Sequence, residues 1–156
     1  MKIDFLKPKF KDFKLISDAE RVIFGKKFNT KLIREYINNS GYAMIVKINE
    51  KYAGHIISKI LSEESEIITF LILPDFQRKG IGRRLMVNFS KDLSIKGVKD
   101  IFLEVSVNNF QALEFYLSLG FNSVGVRPLY YKDGNERSDA KILQGNSENI
   151  KNLMVK

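Results

Sequence analysis

The chain has 156 residues, 44% of them apolar and 28% charged, a globular balance long enough for one core without disulfides or a metal staple. With no cysteine and one histidine, His55, a zinc cluster, a thiol nucleophile and a Ser-His pair of the usual kinds are excluded, and no apolar run reaches the length of a membrane span. The formal net charge of +8 comes from lysines scattered through an Ile- and Asn-rich chain, so it reads as composition, with no direct nucleic-acid binding signature.

Met1 to Leu6 alternates weakly as a first strand, and Phe10, Phe13, Ile16 and Ile23 suggest a helix after Pro8. No apolar signal core stands in MKIDFLKPKFKDF, so a cytoplasmic protein with no membrane association is expected. Asn29 or Thr30 caps a second helix through Asn38, ending at Ser40-Gly41. Tyr42 to Ile48 and Tyr52 to Leu61 read as strands about the turn Asn49-Glu50-Lys51, and Ser62 to Ser65 leads into a nearly continuous apolar strand, Ile67 to Leu73, stopped by Pro74. Ile81, Leu85, Phe89 and Leu93 then recur every four residues on one helix face, with Gly97 placed for a left-handed cap. Ile101 to Val107 is strand-like, Asn108 or Asn109 caps a helix through Leu119, and Gly120 ends it. Asn122 to Arg127 and Ala140 to Leu143 make a closing pair around Pro128 to Asp139, with Asp133-Gly134 as a turn. The whole, residues 1–156, reads as a single domain; the polar tail 144–156 either frays or adds one last helical turn. This order predicts an α/β (α+β) fold, a mixed sheet with helices on both faces.

Between the apolar strand and the following helix lies Gln77-Arg78-Lys79-Gly80-Ile81-Gly82. Glycines at a helix N-terminus leave amides uncovered at the positive end of the helix dipole, an anion cradle, and Arg78, Lys79, Arg83 and Arg84 add charge. The pattern is QxxGxG, neither GxGxxG nor GxxxxGK[ST]. It resembles the GNAT superfamily of acyl-CoA-dependent N-acetyltransferases, whose signature [Q/R]xxGx[G/A] follows the fourth strand. A second block, Leu103 to Tyr131, LEVSVNNFQALEFYLSLGFNSVGVRPLYY, resembles the RimI-type ribosomal-protein (alanine) N-terminal acetyltransferases through its LEV, Asn, LY, LGF, VG, R and YY. The likeness is specific from about Phe70 to Tyr131; the first sixty residues fit by order of elements alone.

The resemblance implies a GNAT fold, mostly antiparallel and of about seven strands, and acetyl-CoA as cosubstrate without a metal. It places the pyrophosphate on the amides of Gln77, Arg78, Lys79, Gly80, Ile81, Gly82 and Arg83, and the pantetheine arm along Phe70, Leu71 and Ile72. It makes Glu104 the general base and Tyr116 the general acid. On pattern alone a solvated strand residue is the lesser reading of Glu104, whereas a core tyrosine is the stronger reading of Tyr116, and the resemblance overturns it. Asn109 matches a CoA-contacting asparagine and is also what a helix cap requires. Tyr130 and Tyr131, expected in a loop, resemble an aromatic wall around an acceptor peptide, or pack within a hairpin.

An α-amino group of pKa about 7.8 is roughly a quarter neutral near pH 7.4, a lysine of pKa about 10.4 only about 0.1%. A single glutamate suffices for the former, which favours a protein N-terminus, a ribosomal protein's among them, as acceptor. A GNAT enzyme of a small amine (polyamine, amino acid or aminoglycoside) and a non-catalytic acyl-CoA-binding module are the alternatives, and the expected state is monomer or homodimer.

Overall fold

The computed structural model describes residues 1–25, 28–133 and 136–154. Seven strands form one sheet: β1 (Ile3–Leu6), β2 (Gly41–Ile48), β3 (Lys51–Leu61), β4 (Glu64–Ile72), β5 (Asp100–Ser106), β6 (Asn122–Asp133) and β7 (Glu136–Asn146). Their order is β1-β2-β3-β4-β5-β7-β6, and each neighbouring pair is antiparallel except β4 with β5. The helices are α1 (Phe13–Phe24), α2 (Thr30–Asn38), α3 (Ile81–Ile95), α4 (Phe110–Ser118) and α5 (Ser147–Lys151), with 3-10 turns at Phe10–Asp12 and Pro74–Phe76.

Two apolar layers sandwich the sheet. On one face Ile81, Leu85, Phe89 and Leu93 of α3 and Tyr116 of α4 pack on Ile56, Ile72, Leu103 and Val105. On the other, Phe13 and Ile16 of α1 and Ile33 of α2 pack on Ala43, Ile45 and Ile57. The four-residue spacing predicted for α3 therefore faces the sheet, and Gly97 takes the expected left-handed conformation, φ +81°.

A β-bulge decides where the sheet opens. Ile57 pairs with Thr69 and Ser58 with Ile67, so Ile68 is an extra residue in β4. Such an insertion bends a strand and raises its twist. On its other edge β4 pairs with β5 only from Glu64↔Asp100 to Glu66↔Phe102. Beyond the bulge the two parallel strands part, leaving a split between Ile67–Ile72 and Leu103–Ser106.

The closing hairpin differs from expectation. Residues 128–139, read as a loop, are mostly strand: β6 runs to Asp133 and β7 starts at Glu136, so Tyr130 and Tyr131 lie in β6. Pro128 signals a loop in sequence, but β6 is an edge strand, where proline costs no ladder bond. Of the expected Asp133-Gly134 turn, Gly134 lies outside the described residues. Over the described residues the tail from Gln144 ends β7 and forms α5, where Ile150 is buried and the Ser147 hydroxyl donates to the Val98 carbonyl at 2.6 Å.

Candidate active site

The turn between β4 and α3 presents its amides outward. The Gln77 N–H donates to the Pro74 carbonyl, and the next helical bond in the chain is Arg84 N–H to the Gly80 carbonyl. The six amides between them, Arg78 to Arg83, have no acceptor among the described residues. Arg78 (φ +62°) and Gly80 (φ +76°) both sit in the left-handed region, which curls successive N–H groups into a concave anion nest at the head of α3. A Cβ on Gly80 would meet nothing within 4 Å, so that side of the nest is open. Gly82 faces inward instead: a Cβ there would stand 3.4 and 3.5 Å from the rings of Phe115 and Phe70, in ordinary contact with them.

The side chains of the turn brace it. Gln77 Nε2 donates to the Ile72 carbonyl at 2.8 Å, tying the nest to the end of β4. Lys79 Nζ donates to the Asp75 carbonyl, Arg83 Nε donates to the Met154 carbonyl, and Arg84 lies over the Phe5 ring. Of the four flanking cations only Arg78 lacks a protein partner among the described residues.

The split receives backbone groups from β4. Leu73 N–H donates to the Ala53 carbonyl and the Leu71 carbonyl lies beside Gly54, so these residues turn towards β3. Alternation then aims the backbone groups of Phe70 and Ile72 into the split. Leu71, grouped with them in the sequence reading, is not on that edge.

On β5, Ile101, Leu103 and Val105 belong to the α3/α4 layer, so Glu104 projects to the α1/α2 side. Its carboxylate accepts from Arg127 of β6, Nη2 to Oε1, at 2.8 Å, and its backbone carbonyl accepts from the Tyr131 hydroxyl at 3.1 Å. Burial, then the Glu104 charge, push the Tyr131 hydroxyl up to about 12. Tyr116 comes from the opposite layer, buried among Phe70, Phe115 and Phe121 with ring centroids 5.3 to 6.3 Å away. Burial, and secondarily the nearby Tyr131, raise its hydroxyl well above the ordinary tyrosine range. That hydroxyl has no hydrogen-bond partner among the described residues.

Asn109 is the cap of α4: its Oδ1 accepts from Ala112 N–H at 3.1 Å. Tyr130 is half exposed and packs edge-on against Tyr131, centroids 5.2 Å apart, under the Arg127 guanidinium. Arg127 stands in the motif block but carries no role in the sequence reading; in β6 it faces Ala140 of β7, and its side chain reaches Glu104 of β5.

His55 also has its place, away from the split. Wholly buried, its Nε2 lies 2.7 Å from Glu20 Oε1, its Nδ1 meets the Tyr52 hydroxyl, and Thr69 donates to the same Glu20 oxygen.

An anion nest, a sheet split on its flank, and a carboxylate and a hydroxyl approaching from opposite layers are the arrangement expected of acyl transfer from CoA. The profile of the acetyltransferase (GNAT) family matches residues 13–121. The chain belongs to that family. Its members use acetyl-CoA, and the six free amides with the open face at Gly80 fit a pyrophosphate. Ribosomal protein bS18-alanine N-acetyltransferase of Escherichia coli strain K12 is 36% identical over 95 residues, 61% of this chain. The matched part spans 64% of that relative's length, a little under two thirds. The crystal structure of the Escherichia coli ribosomal-protein-alanine N-acetyltransferase superposes with a TM-score of 0.85 at 26% identity, covering 93% of this chain and 94% of the other. A spermidine N-acetyltransferase from Vibrio cholerae in complex with CoA and spermine shares the fold, with a TM-score of 0.80 at 19% identity over 96% of this chain and 98% of that one. The GNAT N-acetyltransferase of this chain is therefore RimI-like. Among the described residues no group of three or more potential metal ligands occurs, and no helix is long and apolar enough to cross a membrane.

Proposed function

We propose that this enzyme transfers an acetyl group from acetyl-CoA to the α-amino group of a protein N-terminus, a ribosomal protein's among the candidates. The observation that carries the reading is the convergence of Glu104 and Tyr116 from opposite layers, beside the split between β4 and β5. Acetyl-CoA supplies the acyl thioester, with its pyrophosphate on the Arg78 to Arg83 amides and its arm along the Phe70 and Ile72 edge. Glu104 takes the proton of the incoming ammonium on the α1/α2 side, directly or through one water. The inward N–H groups of the β4 edge face the thioester oxygen as its charge grows. Tyr116 holds a proton on the other side for the departing thiolate. Its raised pKa keeps that proton in place at any physiological pH, and makes the donation more uphill against a thiol of pKa about 8.5.

The surface beside Glu104 favours a peptide. Leu129 and Tyr130 are apolar, adjacent and about half exposed, a shelf suited to the first side chains of an N-terminus. A ribosomal acceptor places the reaction in the cytoplasm. The test is acetylation measured across N-terminal peptides, free amino acids and polyamines. Turnover confined to peptides with a free α-amine supports the reading; efficient turnover of a polyamine and none of the peptides would replace it with a small-amine enzyme.

A further inference from the structure

Arg127 is the cation that meets Glu104, and the strand that carries it is distorted just beyond it. Between Arg127 and Tyr131 the pairing of β6 with β7 breaks: Arg127 faces Ala140 and Tyr131 faces Ser138, with Pro128, Leu129 and Tyr130 looped out. Leu129 sits at φ +52°, a conformation bulky residues avoid. It is held by its N–H donating to the Asp139 carboxylate at 2.8 Å. A backbone outlier pinned in this way marks a place where position matters. Beside this bulge the Arg127 guanidinium lies 4.7 Å from the Tyr130 ring centroid and 2.8 Å from Glu104. The Glu104 side chain is 17% exposed and that of Arg127 51%, so the arginine covers the carboxylate from the solvent side.

The other groups around Glu104 leave Arg127 as the charge that counts. Across the β5–β7 ladder its partner is Ile142, apolar. From β6 come the Tyr130 ring, under Arg127, and the Tyr131 hydroxyl, whose pKa burial raises. Asp139 is engaged by Leu129, and Arg137 points to the Leu129 carbonyl.

We infer that Arg127 sets acceptor selectivity, disfavouring amines that hold their proton tightly and admitting those that give it up readily at Glu104. This rests on Glu104 being the base. An acceptor ammonium reaching Glu104 must share the carboxylate with a guanidinium already on it, a like-charge juxtaposition that selects against it. An α-amine of pKa about 7.8 escapes that penalty by losing its proton, whereas a lysine or polyamine amine of pKa about 10.4 does not. The same charge lowers the pKa of an amine seated beside it.

The experiment compares the parent with Arg127→Met and Arg127→Lys in acetyl transfer to an alanine-leading peptide without lysine and to an N-terminally blocked lysine peptide, between pH 6.5 and 9.5. The readout is the ratio of kcat/KM for the two acceptors. In Arg127→Met the ratio falls by about tenfold or more, through a lower KM for the lysine peptide, and the acid limb of kcat moves to higher pH. Arg127→Lys, which keeps the charge, stays near the parent. Arg127→Gln repeats the neutral substitution should the methionine variant misfold. A folded neutral variant with unchanged ratio and pH limb would reduce Arg127 to a brace of the hairpin. A parent that prefers the lysine peptide would overturn the Nα-amine reading instead, and the ratio between parent and variant would still decide the role of Arg127.

Discussion

Tyr131 reaches from β6 to the backbone of β5, two strands away, and donates its hydroxyl to the Glu104 carbonyl at 3.1 Å. The carboxylate of the same residue is held by Arg127, so β6 fixes both the backbone and the side chain of the proposed base. Tyr131→Phe removes the backbone tie alone. One such bond is worth about 1 kcal/mol, or roughly 2 to 4 °C of melting temperature in a protein of this size. The expected variant melts that much lower, binds acetyl-CoA as before and turns over more slowly. Parental kcat in the less stable variant would show that Glu104 needs no such support.

Glu104→Gln keeps the shape of the side chain and removes the proton acceptor. Turnover then depends on the fraction of acceptor already neutral, so the loss is greatest at low pH and shrinks as pH approaches the amine pKa of about 7.8. Acetyl-CoA affinity, measured by calorimetry, hardly changes, because the carboxylate projects to the other side of the sheet. A pH-rate profile parallel to that of the parent would leave Glu104 as a strand residue only.

How much of this was legible before folding differs by element. The turn, α3 and its two left-handed glycines Gly80 and Gly97 follow from spacing, because a four-residue apolar period and a glycine punctuate the chain locally. Asn109 announced its cap for the same reason. The split did not show: Ile68 sits inside an unbroken apolar run, and a bulge there changes no residue type. That Leu71 turns its backbone towards β3 did not show either, because the bulge sets which backbone groups turn outward. Nothing in the sequence singled out Glu20, which α1 buries against His55, a contact 35 residues apart in sequence. Arg127 and Glu104 were both in view, but their pairing runs from β6 across β7 to β5, which no local pattern reports.

Gly82→Glu tests the nest. The new side chain meets Phe115 and Phe70 at its root and carries a carboxylate to the head of α3, where an anion is to bind. Acetyl-CoA affinity in a folded variant is expected to fall at least about tenfold, since like charge replaces a favourable site. Unchanged affinity by calorimetry, with native circular dichroism, would move the pyrophosphate elsewhere.

Glu20→Ala strikes the opposite layer. It strips Thr69 and the wholly buried His55 of their acceptor, and breaking a buried network of this kind costs about 3 to 5 kcal/mol. The melting temperature should fall by about 10 °C, with the family's chemistry retained in the folded fraction at low temperature. A loss within about 2 °C would mean that His55 and Thr69 find other partners.

Tyr116→Phe separates proton donation from packing. The hydroxyl has no partner among the described residues, and the ring keeps its contacts with Phe70, Phe115 and Phe121, so stability near neutral pH should barely move. Turnover should fall by a factor of about 100 to 10,000, the usual worth of a general acid. Alkaline titration supplies an independent check. Burial raises the folded pKa of Tyr116 above the unfolded value near 10, so between those two values unfolding releases a proton. The stability associated with the neutral hydroxyl is complete below about pH 10 and is lost as pH rises beyond it. The phenylalanine variant has no such proton to release, and its melting temperature should decline less steeply than the parent's above about pH 10. A variant with parental turnover and the shallower alkaline decline would leave Tyr116 a buried core residue, and the proton for the thiolate would have to come from Tyr131 or water.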